Sequence, residues 1–228
     1  MRFLILLLFI SGTSFAATPM ETLLNLPIEK RVKEFTDLAG GDKFLRNVAF
    51  DKRYGLQARW RALTTMGRWD AALFRHELDR ALTSGEWFMR NAALIALQSD
   101  ERARAVNWSM RLLDDPALVV RTQAVRNLIA LDAREAEPKL WEKMFAGTNF
   151  HGQESLWVRI HIAEALATFA SPQRTRSFQR MLMDPDERLH KWAILGLETA
   201  TGFKIGDKSE PLEVRRDQWL ARLGAQEI

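Results

Sequence analysis

Five segments of this chain repeat one pattern in register, and that constrains its fold more than any other feature. The clearest copy is Asp115–Leu131. There Val120, Ala124, Leu128 and Leu131 fall at i, i+4, i+8 and i+11, one face of an α-helix. Aligning the chain on Arg121 stacks Arg59, Arg90, Arg121, Arg159 and His190 in one column, at spacings of 31, 31, 38 and 31 residues. The residue before each is Ala58, Met89, Val120, Val158 or Leu189. Three after come Ala62, Ala93, Ala124, Ile162 and Ala193, and seven after come Met66, Leu97, Leu128, Leu166 and Leu197. The sixth position after is mostly small: Thr65, Ala96, Asn127, Ala165 and Gly196. Columns locked over this many copies are the signature of a helical repeat.

A second series lies between these helices. Leu78, Ser109, Leu140 and Phe178 form one column, and Leu82, Leu113, Met144 and Leu182 another. Each unit therefore reads as two antiparallel helices. The expected fold is all-α, an α-α superhelix (solenoid) of about five helix pairs. The seven extra residues of the 38-residue spacing fall within Phe145–Phe178, most simply in the polar Gly147–Ser155 stretch, read as a loop. Asp115-Pro116 reads as a helix start, since Asp accepts first-turn N–H groups and Pro has no N–H to lose there.

At these residues the chain resembles HEAT-like (armadillo-type) repeats. The family pattern is Asp-Pro, a short gap, an aliphatic-Arg pair, then Ala three and Leu seven residues after the Arg. Asp115-Pro116, Val120-Arg121, Ala124 and Leu128 match it; Asp184-Pro185, Leu189-His190, Ala193 and Leu197 match with His in place of Arg. The other three copies lack Asp-Pro. The resemblance covers about two-thirds of the chain and implies a binding surface rather than a particular activity. It also implies that Asp115 pairs with Arg121, in a ladder comprising Arg59, Arg90, Arg121, Arg159, Asp184 and His190. The alternative for the Arg column is an anion-binding stripe.

The expected organisation is a signal peptide over residues 1–16, an N-terminal capping helix over 17–40, repeats over 41–200 and a C-terminal cap over 201–228. Arg2, the apolar run Phe3–Ile10 and Ser14-Phe15-Ala16 fit an export signal. With no cysteine in the chain, no lipoprotein anchor or disulfide is expected, and a Gram-negative periplasm is the expected address. Removing Arg2 leaves 32 basic against 29 acidic residues, too weak a bias for a nucleic-acid arm or a membrane-surface patch. In the first cap Ile28, Val32, Phe35 and Leu38 form an apolar stripe; in the last, Val214, Trp219, Leu220 and Leu223 are available for packing.

Chemistry is sparse. The histidines, His76, His151, His161 and His190, include no i, i+4 pair, so no metal and no cofactor is expected. No Gly-x-Ser-x-Gly elbow or Gly-rich phosphate loop occurs, and no catalytic residue is assigned. The face opposite the repeat core is more informative. One residue after the Arg column come Trp60, Asn91, Thr122, Ile160 and Lys191; five after come Thr64, Ile95, Arg126, Glu164 and Leu195. Two after, at the edge, come Arg61, Ala92, Gln123, His161 and Trp192. Apolar groups on such a face mark an interaction site unless neighbouring helices cover them. Trp60, Arg61, Ile95, Arg126, Ile160, His161, Glu164, Trp192 and Leu195 are accordingly the expected partner-binding residues. Most other tryptophans, including Trp87, Trp108, Trp141 and Trp157, read as core. The expected function is an exported scaffold that holds a protein partner through its second helices. The alternative is an enzyme or accessory subunit of the HEAT-like lyase type, with a ligand pocket in the concave face.

Overall fold

The computed structural model describes residues 19–207 and 209–224, so the expected signal peptide lies outside the described residues. The chain is all-α. Among the described residues there are 13 α-helices, five short 3-10 turns and one hairpin of two-residue strands. The helices are α1 (Pro19–Leu23), α2 (Ile28–Asp37), α3 (Gly41–Phe50), α4 (Leu56–Asp70), α5 (Arg75–Leu82), α6 (Trp87–Ala96) and α7 (Arg102–Leu112). They continue as α8 (Leu118–Ala130), α9 (Glu137–Met144), α10 (Val158–Thr168), α11 (Thr175–Leu182), α12 (His190–Thr201) and α13 (Leu212–Gly224).

Helices adjacent in sequence pack together: α3 on α4, α5 on α6, α7 on α8, α9 on α10 and α11 on α12. The even-numbered helices also pack in series, α4 on α6, α6 on α8, α8 on α10 and α10 on α12. At the two ends, α2 packs on α3 and α4, and α13 on α11 and α12.

The repeat columns account for this packing. The positions three and seven after the Arg are buried in every copy, and so are both columns of the odd-numbered helices. One contiguous apolar cluster runs from Leu24 to Leu223. The small sixth column has a steric cause at its last member: a Cβ on Gly196 would collide with the ring of Phe178 on α11. Asn127, in the same column, is fully buried and bridges two helices. Its Nδ2 donates to the Leu94 carbonyl at 2.6 Å, and its Oδ1 accepts from Gln98 and Gln123 at 2.8 and 2.9 Å.

Three local expectations are corrected. Helix α8 begins at Leu118, not at Asp115-Pro116. The Asp115 carboxylate does accept from the Ala117 N–H at 2.8 Å, but it is turned toward another helix, as described below. The Gly147–Ser155 stretch is a 3-10 turn at Gly147–Asn149 followed by an antiparallel hairpin, Phe150–His151 with Glu154–Ser155, instead of a plain loop. Val214, expected to pack, is exposed, while Trp219 and Leu223 on the other side of α13 are buried.

Candidate functional site

All five members of the Arg column are buried, and each arginine among them reaches forward into the next segment. Arg59 donates to both oxygens of Glu86, at 2.9 and 2.6 Å. Arg90 forks onto Asp115, at 2.6 and 2.8 Å. Arg159 meets both oxygens of Asp184, with side chains only 1% and 9% exposed. Asp115 is therefore the partner of the preceding Arg90 and not of Arg121. Arg121 approaches only its backbone, donating to the Asp115 carbonyl at 2.8 Å. The reason is steric order: the carboxylates just ahead of α6, α8 and α12 lie against the preceding even-numbered helix, where the earlier guanidinium sits. His190 follows the same rule for its own segment, with Nε2 2.8 Å from the Asp184 carbonyl.

The insertion explains why Arg121 differs. Its forward partners are Asn149 Oδ1 at 3.0 Å and the Thr148 carbonyl at 2.9 Å, both neutral and both supplied by the extra residues. Burial accordingly lowers the Arg121 pKa. The hairpin also serves Arg159, whose guanidinium lies 4.3 Å from the Phe150 ring centre and donates to Ser155 Oγ at 2.9 Å. These contacts answer the anion-stripe alternative. The column's cations are satisfied internally, as expected for buried charge.

Ion pairs also join the odd-numbered helices. Arg46 of α3 pairs with Glu77 of α5, and Arg104 of α7 with Asp79 of α5 at 2.6 Å. Asp114 binds Lys139 and Lys143 of α9, at 2.9 and 2.5 Å. The hydrogen bond from Arg59 holds the Glu86 carboxyl below its usual range. Burial pushes Asp114 upward, but its bonds to Lys143 and Lys139 prevail and the net shift is down. A depressed folded pKa means stability that is complete above the ordinary carboxylate range and lost as pH falls through the folded value. The thermal midpoint should thus be flat from pH 6 to 8 and drop below about pH 4. A midpoint unchanged down to about pH 2.5 would show that these pairs contribute nothing.

The nine expected partner-binding residues do not form one surface. Trp60 and Ile95, both half-buried, line a groove of about 490 Å³ that crosses α2, α4, α6 and the end of α8. Arg61 lies outside it and donates to Asn25. Arg126 and Leu195 are exposed, and Ile160 and Trp192 are half-buried farther along the chain. His161 and Glu164 face each other at 3.5 Å, with the Trp157 ring edge-on to His161. The supposedly outward column is partly internal: Asn91, Thr122 and Thr64 are buried, and Trp60 Nε1 donates to Asn91 Oδ1 at 3.2 Å. A helix flanked on both sides by neighbours has no fully free far face.

Trp87 and Trp157, expected in the core, are instead 46% and 40% exposed. They sit beside the buried Arg column at the starts of their helices, where no later turn covers them. Sequence reasoning also passed over Arg31. This residue is 5% exposed, lines the groove, and makes a hydrogen bond from Nη1 to the Leu24 carbonyl at 3.0 Å. Its Nε–H has no partner among the described residues. Burial, with Arg61 adding to it, pushes its pKa down to about 10. Arg68, the groove's other charged residue, pairs with Glu29 at 3.1 Å.

No protein-family model matches the chain. No curated protein matches it either. Among solved structures, the crystal structure of an engineered protein is 18% identical, covers 78% of this chain and 86% of its own, and superposes with a TM-score of 0.49. A likeness that loose carries no argument. Among the described residues, no helix is long and apolar enough to cross a membrane. No group of three or more His, Asp or Glu side chains suited to a metal ion occurs among them.

Proposed function

We propose that this chain is an exported HEAT-like repeat scaffold: a solenoid of five helix pairs, α3/α4 to α11/α12, capped by α2 and α13, that holds a protein partner on its even-numbered helices. The observation that carries the reading is the groove across α2, α4, α6 and α8. Its apolar side chains, Ile28, Trp60, Ile95 and Leu131, come from successive helices and stay in reach of solvent. Serial packing of the even-numbered helices and the buried Arg column support the solenoid. The sequence pattern of residues 1–16 supports export, with the Gram-negative periplasm as the address.

The test is crosslinking in the host's own envelope, comparing wild type with a Trp60→Ala/Ile95→Glu double variant. One dominant protein should be captured by wild type and lost with the variant, while the variant's melting midpoint stays within a few degrees. Capture that survives the double substitution would remove the groove from the interaction. Finding the protein only in the cytoplasm would remove export.

A further inference from the structure

Arg31 is a buried cation without a counter-ion among the described residues. Of the groove-lining side chains, only Arg31 and Arg68 are charged, and no carboxylate lines it. Arg59, Arg90 and Arg159 each have a carboxylate, and Arg121 has four neutral acceptors. Among the described residues, Arg31 has one carbonyl and an unpartnered Nε–H. Leaving a guanidinium desolvated and unpaired is costly, and a planar fork of donors is shaped to take a carboxylate on two parallel hydrogen bonds. Beside that fork lie Trp60 and Ile95, on helices α4 and α6. Packed helices stand about 8–10 Å apart, so this apolar floor suits a chain segment presenting several side chains.

We infer that the groove takes a polypeptide segment whose carboxylate seats on the Arg31 guanidinium and whose adjacent apolar side chain packs on Trp60 and Ile95. This rests on the scaffold reading and names the chemistry of the partner's docking segment.

The test is selection of a displayed library of random peptides on the purified protein, with Arg31→Met in parallel. Peptides enriched on wild type should pair Asp, Glu or a free chain end with a neighbouring aliphatic or aromatic residue. As synthetic fluorescent peptides they should bind Arg31→Met at least about ten-fold more weakly, the loss expected for a charge-assisted hydrogen bond. The melting midpoint of Arg31→Met should equal or exceed that of wild type, because an unpaired buried charge has been removed. Should that variant melt far lower, Arg31→Lys, which keeps the charge and loses the fork, carries the binding comparison, again with weaker binding expected. Enriched peptides without a carboxylate, equal binding to the variant, or no enrichment at all would overturn the inference. Octanoate or inorganic phosphate stabilising wild type alone, with no peptide selected, would also overturn it in favour of a small anion. Partner capture that depends on Trp60 and Ile95 but not on Arg31 would sink this inference and leave the scaffold standing.

Discussion

Replacing Asp184 by Ala should cost about 3–5 kcal/mol, among the largest effects of any single polar substitution in this chain. The deletion strands Arg159, which is 1% exposed and lies against the Phe150 ring. Its remaining acceptors, the Met144 carbonyl at 2.9 Å and Ser155 Oγ at 2.9 Å, are neutral. Asp184 also accepts from the Asp186 N–H at 2.9 Å, so the turn into α12 loosens as well. Glu86→Ala should cost no more than about 1 kcal/mol, although it removes an equivalent fork from Arg59. The Glu86 side chain is 40% exposed, and water can replace its oxygens. Denaturant unfolding of both variants gives the comparison. A double variant, Asp184→Ala with Arg159→Met, should recover much of the loss, because the penalty is the uncompensated charge and not the missing contact. Equal costs for Asp184→Ala and Glu86→Ala would mean that burial of the pair does not set its importance.

This ladder shows where the sequence was readable and where it was not. The Arg column was visible because it recurs with the helical register, and each of its arginines is buried as a core-edge residue should be. Its partners were misassigned because a family pattern puts Asp115 and Arg121 in one segment. Yet Arg90 and Asp115 are 25 residues apart, as are Arg159 and Asp184, and that spacing was a legible clue. The outward columns failed for a different reason. Helical phase says which way a side chain points, but not whether a neighbouring helix stands there. Asn91 points away from its own segment's core and meets Trp60 of the preceding one. Arg31 had a signal that went unused. It lies three residues after Ile28 and four before Phe35, on the apolar stripe of α2, where a charge is out of place.

The C-terminal helix gives the second large effect. Trp219→Ala should destabilise the protein by about 3–5 kcal/mol, whereas Trp219→Phe should cost far less. Trp219 is fully buried on α13, which packs on both α11 and α12. Its Nε1–H has no hydrogen-bond partner among the described residues, so Phe forfeits no bond seen there and loses only part of the ring volume. Arg215 holds the same helix to Glu198 of α12 at 2.7 Å, but that link alone cannot refill the space the indole leaves. With the helix loosened, apolar surface of α11 and α12 becomes accessible, and Trp219→Ala should bind a hydrophobic dye before it unfolds. The pair of substitutions separates two roles for α13. If it covers the end of the helix row, dye binding and destabilisation appear together in Trp219→Ala and neither appears in Trp219→Phe. If Trp219→Ala melts like wild type and binds no dye, α13 is an appendage, and the last apolar face of the row must be closed by something other than this helix.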